Sequence, residues 1–185
     1  MDILHPNTID QSPEAARETL GKLEKSMGFL PNLFGVMSHN PAVLEAYATL
    51  DGLIAKSGLD AKERQVVLLT ASRLNECGYC MAAHTGGARS AGLDNDIIDA
   101  LRDGKAIDSD DKLEALRQFT AAVVDQRGWV SDDTIKAFLD AGYEQQHVLA
   151  VILGVTMKTL SNYTNHIADT PLDDELAPME WKQAA

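Results

Sequence analysis

The sequence is short of basic residues, of proline through its middle, and of cysteine, and each shortage excludes something. Lysine and arginine number 16 against 28 aspartates and glutamates, a formal net charge of −12 that repels phosphate backbones and anionic lipid surfaces. Neither a nucleic acid nor a membrane is an expected partner. No strongly apolar run is long enough to cross a bilayer, because the longest strongly apolar stretch lacking a charge, from Gln145 to Met157, has 13 residues where a spanning helix needs roughly 20. The opening MDILHPNTIDQ lacks the basic region, apolar region and cleavage site of a secretory signal, so a cytoplasmic location is expected.

The 6 prolines are confined to the two ends, at Pro6, Pro13, Pro31 and Pro41 and then at Pro171 and Pro178. The stretch between Pro41 and Pro171 is free of the residue that breaks helices. Apolar residues in it recur at intervals of three and four, as in Val66 and Leu69 or Leu113, Leu116, Phe119 and Val123. No period-two strand pattern is evident. With 45% hydrophobic residues in 185, the chain can bury one core, and a single all-α domain over residues 1–185, a multi-helix bundle, is the expected fold class.

Cap chemistry places the helix starts. Ser12, Pro13 and Glu14 open a helix over about 13–27 that Gly28 closes, and a short turn of helix follows Pro31. Asn40 and Pro41 start a helix to about Ser57. Asp60 with Glu63 resembles a capping box for a helix ending near Leu74. Asn75 is expected to cap a helix from Glu76 to about Ala91, stopped by Gly92, and Asp94 starts one that stops at Gly104. Ser109 and Ser131 mark later starts. The last long helix begins near Tyr143 and ends at Thr170 and Pro171, leaving residues 171–185 as an irregular tail. Gly86 and Gly87, amid alanines, suit close helix packing better than a phosphate loop.

The only two cysteines, Cys77 and Cys80, form a Cys-Gly-Tyr-Cys motif followed by His84. On a helix these are positions i, i+3 and i+7, one face. A helix N-terminus favours thiolates, and two thiols at this spacing can cycle through a disulfide. Other readings compete with this one. The cysteines could be core residues, or with His84 three ligands of a zinc site that has no fourth thiolate and would need a carboxylate or histidine from elsewhere in the chain. A structural disulfide does not suit the cytoplasm, and a thioredoxin-like fold would need a βαβ context that the helical segment before Cys77 does not provide. Glu63 reads first as a cap and second as an aid to the thiols; Glu76 reads as a first-turn acid, and Tyr79 equally as packing or chemistry. Tyr163 and His166 share a helix face suited to the core or an interface.

The stretch from Ala61 to Leu93, AKERQVVLLTASRLNECGYCMAAHTGGARSAGL, resembles the core of the carboxymuconolactone decarboxylase family, in its alkylhydroperoxidase AhpD-like, peroxidase-related branch. Gly28, Pro31, Asn32 and Pro41 upstream, and Tyr163, Asn165, His166, Pro171, Leu172 and Asp173 downstream, extend the resemblance over most of the chain. It implies an AhpD-like helical fold with Cys80 as the peroxide-attacking sulfur, Cys77 as the resolving one, and His84 in a proton relay. The family's acid, 12 residues before the first cysteine, is replaced by Gln65, whose amide cannot act as a general base. Glu63 is the nearest carboxylate upstream. Tyr79 stands where some members have a histidine.

The activity so implied is thiol-dependent reduction of an alkyl hydroperoxide. Its partners are the hydroperoxide and an external dithiol or reductant protein, since no nicotinamide- or flavin-binding motif is present and no cofactor is expected. The resemblance also implies a homo-oligomer, a trimer or hexamer. Two alternatives come from the same residues: a lactone decarboxylase activity known in the wider family, which would not depend on the cysteine pair, and a non-catalytic thiol redox sensor.

Overall fold

The computed structural model describes residues 3–182; the two N-terminal residues and the end of the expected tail, 183–185, lie outside them. The described residues form helices α1 Glu14–Met27, α2 Asn32–Met37, α3 Pro41–Ile54, α4 Ala61–Leu74 and α5 Gly78–Ser90. They continue with α6 Asn95–Asp103, α7 Asp111–Asp125, α8 Asp132–Asp140, α9 Gln145–Ala168 and a 3-10 helix, Asp174–Met179. No strand occurs among the described residues, so the all-α expectation holds.

Helix α4 is the centre. Its residues Val66 to Ser72 are buried without interruption, the pattern of a helix surrounded by others rather than one lying on a surface. Helices α5, α7 and α9 pack around it. Val66, Val67 and Leu69 face a core shared with α6–α9, whereas Leu68 faces a second core built from α1–α3, α5 and α9. Phe119, Phe138 and Tyr143 stack in the first core with centroids 4.4 Å apart at each step. The second core holds both cysteines.

Close approach of α9 to α4 depends on Gly154, where a Cβ would lie 2.7 Å from Val67 Cγ1 and 3.1 Å from Ile54 Cδ1. One turn farther along α9 is Lys158. The glycine thereby sets how near the later residues of α9 come to α5.

Several expected starts move. Pro13, not Ser12, is the N-cap of α1; the Ser12 hydroxyl instead donates to Thr8 O at 2.8 Å and to Ser38 Oγ at 2.9 Å. Asp110, not Ser109, caps α7, accepting from Leu113 N at 2.9 Å, while Ser109 donates to Asp96 Oδ2. Asn75 is the C-cap of α4 rather than an N-cap, and Cys77 is the N-cap of α5. Glu76, exposed, with φ 56°, therefore reverses the chain between two helices and is not a first-turn acid.

The largest correction concerns the tail. Residues 171–182 are not simply irregular: they fold back over α5, with Leu176 and Asp173 buried. The Arg102 guanidinium donates to the carbonyls of Met179 and Glu180, and Trp181 Nε1 donates to Arg102 O at 3.0 Å. These partners are far away in sequence, so local pattern could not reveal them.

Candidate functional site

The short link between α4 and α5 delivers both sulfurs. Cys77 N donates to Ser72 O at 2.9 Å, and Cys77 O accepts from Met81 N as the first bond of α5. Cys80 is then the third residue of α5, among the unpaired N–H groups of a helix start. The helix dipole there favours an anion. Both cysteines are buried and unbridged.

Helix α9 supplies what faces them. Lys158, Ser161 and Asn165 follow Val151 and Gly154 on one side of the helix, at intervals of three and four. Asn165 Nδ2 points at both sulfurs, 3.3 Å from Cys80 and 3.7 Å from Cys77, and Ser161 Oγ is 3.9 Å from Cys80. Lys158 is fully buried, and its Nζ is 2.8 Å from His84 Nε2. His84 Nδ1 is in turn 3.2 Å from Gln65 Oε1.

These contacts fix protonation states. An ammonium only donates, so His84 Nε2 accepts and its Nδ1–H donates to the Gln65 carbonyl. Burial, and then the Lys158 charge, hold the His84 imidazole well below its ordinary range, neutral at physiological pH. Burial pushes the Cys80 thiol up, but a hydrogen bond from the Cys77 thiol, the Lys158 charge and Ser161 outweigh it, so Cys80 sits well below the ordinary thiol range. Cys77 goes far up, chiefly because its proton is shared with Cys80 and secondarily through burial. Burial alone would discharge Lys158, yet the neighbouring Cys80 keeps it an ammonium. These directions favour a thiolate at Cys80, an ammonium at Lys158 and a retained proton on Cys77.

A cavity of about 310 Å³ reaches this group. Its floor includes Cys80, His84 and Lys158, and its walls are largely apolar, with Phe29, Phe34 and Leu176 among them. Tyr47 and Asp51 are the other polar groups near the lysine, both raised mainly by burial. Cys77 does not line the cavity.

Tyr79, between the cysteines, also lines the cavity. Its hydroxyl donates to Asp173 Oδ2 at 2.5 Å and accepts from Leu33 N at 3.3 Å, while Asp173 Oδ1 accepts from Asn32 N at 2.9 Å. It ties the tail, α2 and α5 together beside the cavity.

Residues 41–122 match the carboxymuconolactone decarboxylase family. That segment is somewhat less than half of the chain. It holds α3, α4, both cysteines, His84 and Gln65. Across nearly the whole chain the fold is that of the AhpD core. A peroxidase-related protein from Ralstonia eutropha JMP134 superposes with a TM-score of 0.84 at 19% identity, covering 95% of this chain and 96% of that one. The debrominase Bmp8, in a cysteine-to-alanine variant bound to 2,3,4-tribromopyrrole, gives 0.80 at 15% identity over 96% and 95%. A peroxidase-related protein from Silicibacter sp. TM1040 gives 0.77 at 16% over 89% and 87%. No curated protein matches the sequence.

Of the residues singled out from the family-like stretch, the fold brings Cys77, Cys80, His84 and Gln65 together. Glu63 goes elsewhere: its N–H and Oε2 complete the capping box with Asp60, and its Oε1 pairs with Lys112 at 2.9 Å. It does not line the cavity. Gly87 is where Gln65 crosses α5, since a Cβ there would lie 3.0 Å from both ends of the amide. Tyr163 and His166 are exposed on α9, which removes the core reading and leaves the interface one. Among the described residues no group of three or more His, Cys, Asp or Glu is placed to hold a metal ion. No described helix is long and apolar enough to cross a membrane.

Lys158 is the residue that sequence reasoning missed. The available signal was a lone lysine on a helix face otherwise made of Val151, Gly154 and Ser161, where a charge is out of place unless it has a partner.

Proposed function

We propose that this chain is a thiol-dependent hydroperoxide reductase in which Cys80 attacks and Cys77 resolves. The observation that carries the reading is the asymmetry of the two thiols: Cys80 lines the cavity and is held below the ordinary thiol range, whereas Cys77 lies outside it and is pushed up. Cys80 sulfur takes the terminal oxygen of the hydroperoxide, the O–O bond breaks, and an alcohol leaves. Cys77 sulfur then bonds to Cys80 sulfur and water leaves. An external dithiol or a reductant protein returns the pair to thiols, and the expected homo-oligomer and cytoplasmic location belong to the same proposal.

The test is hydroperoxide consumption with a dithiol reductant. Cys80→Ser abolishes it. Cys77→Ser gives one equivalent of Cys80 sulfenate, trapped with a dimedone-type probe, and no turnover. Peroxide consumption by Cys80→Ser at the wild-type rate overturns the assignment.

A second reading is favoured by the aromatic walls of the cavity and by the similarity of fold to a debrominase. Two thiols can reduce a carbon–halogen bond to carbon–hydrogen, forming a disulfide and releasing hydrogen halide. Halide release from a brominated pyrrole selects this reading over the first. The lactone decarboxylase reading lacks the basic cluster expected to grip a dicarboxylate, since no arginine lines the cavity.

A further inference from the structure

A buried lysine whose partners are a thiolate and a neutral imidazole needs a reason to be there. Replacing a buried ion pair with apolar groups is often neutral or stabilising, so stability alone does not account for it. Lys158 lies on the cavity floor beside the sulfur that reacts, and its position is held by His84, which is held by Gln65, which is accommodated by Gly87. Every link in that chain is neutral except the lysine. His84 accepts from Lys158 and so has no free acceptor nitrogen, Gln65 cannot take a proton, and Ser161 and Asn165 are uncharged. Asp51 and Tyr47 also face the lysine across the cavity.

We propose that Lys158 is a catalytic proton carrier of this site, its ammonium giving a proton to the departing alkoxide and its amine then taking the proton of Cys77. The inference rests on the hydroperoxide reading above. In the first step Cys80 sulfur bonds to the terminal oxygen, the O–O electron pair leaves on the alkoxide, and Lys158 protonates it to the alcohol. In the second, neutral Lys158 accepts the Cys77 proton and the Cys77 thiolate displaces hydroxide from the Cys80 sulfenic acid. Lys158 returns that proton to the hydroxide, and water departs. The two protons consumed are the one Cys80 had lost to Lys158 and the one from Cys77, so the lysine ends as an amine beside a disulfide. His84 is a positioning residue, keeping the ammonium aimed at the floor.

The acid role separates from simple charge stabilisation by leaving group. tert-Butyl hydroperoxide expels an alkoxide, which needs a proton, whereas peracetic acid expels a carboxylate, which does not. Single-turnover sulfenate formation is measured with both oxidants in a Cys77→Ser background and corrected for the thiolate fraction read from ultraviolet absorbance. Lys158→Met is expected to lose about 10²-fold with tert-butyl hydroperoxide, the scale of general-acid catalysis, and little with peracetic acid. Lys158→Arg keeps the charge but holds its proton at any working pH; it retains the thiolate absorbance and still loses the alkyl hydroperoxide rate. Should Lys158→Met fail to fold, the arginine variant carries the test. Equal losses with both oxidants, or none, overturn the proton-carrier role and leave the hydroperoxide reading standing. Failure of the Cys77→Ser parent to form sulfenate with either oxidant overturns both.

Discussion

Replacing Tyr79 with phenylalanine removes a single oxygen and tests whether the tail is fastened through the middle of the cysteine motif. That hydroxyl serves two buried partners, donating to Asp173 Oδ2 and accepting from Leu33 N. Its loss leaves a carboxylate oxygen without its donor, worth about 1.5–3 kcal/mol for a charged partner, and strands a helix-start N–H at about 1–3 kcal/mol. Relaxation of the tail recovers part of this, so a net loss of about 2–4 kcal/mol is expected. At about 2–4 °C per kcal/mol for a chain of this size, the Tm falls by about 4–16 °C. Burial raises the Asp173 carboxyl above its ordinary range even with the tyrosine present. The sign follows: a raised carboxyl costs stability once it is ionised, and the cost is relieved as pH falls and the group takes up a proton. Removing the Tyr79 donor enlarges that cost, so the deficit of Tyr79→Phe is greatest at neutral pH and narrows in acid. Circular dichroism melts of wild type and variant across that range give the comparison. The same loosening uncovers the cavity at Leu176, so alkylation of Cys80 by a bulky maleimide becomes faster. A Tm within about 2 °C of wild type at neutral pH, or a deficit independent of pH, refutes this account of the tail.

Because Cys80 is held well below the ordinary thiol range in part by the Cys77 thiol, its alkylation rate stays level through neutral pH and falls only in acid, and Cys77→Ala moves the inflection upward. Gly154→Ala puts a Cβ 2.7 Å from Val67 Cγ1, overpacking that costs about 1–3 kcal/mol and is read as a lower midpoint in urea. Gly87→Ala displaces Gln65 from His84 through its 3.0 Å approach, which slows hydroperoxide reduction while leaving the thermal midpoint nearly unchanged. Leu149, Ile152, Tyr163 and Ile167 are exposed on one face of α9, so Ile152→Glu with Ile167→Glu lowers the mass found by light scattering if this face joins copies of the chain.

What could be read in the sequence was local. The α4 capping box of Asp60 and Glu63, the Gly28, Gly92 and Gly104 stops and the Asn40 and Ser131 caps all act within a few residues, and the folded chain keeps them. The cysteine pair and His84 were also visible, because their spacing is itself the signal. Asn75 misled because a residue joining two helices can end the first or begin the second, and the choice falls to Glu76, whose left-handed backbone is not an ordinary preference of glutamate. Lys158, Asn165 and Asp173 lie 74 to 94 positions from the residues they serve. Helical spacing from Val151 and Gly154 would place Lys158 on the buried face of α9 but carries nothing about the thiol of α5 that lies opposite.

The thiolate and the ammonium depend on one another, and this ties stability to redox state. With Cys80 ionised, the buried Lys158 has a counter-charge and stays protonated. Joining Cys77 to Cys80 removes that anion, and a fully buried lysine that has lost its thiolate counter-charge is pushed down because desolvation opposes its charge. The linkage then has a definite sign. A lysine depressed in the folded state binds fewer protons there than when unfolded, so folding is favoured above the ordinary lysine range and progressively weakened as pH falls towards the depressed value. The disulfide closes too small a loop to compensate through chain entropy. The oxidised protein is therefore expected to melt below the reduced one at neutral pH, with the gap closing as the medium becomes strongly alkaline, and Lys158→Met abolishes the pH dependence of that gap. An oxidised form that melts higher at neutral pH, or a gap that survives unchanged in Lys158→Met, breaks the link between the lysine and the thiolate on which the site is built.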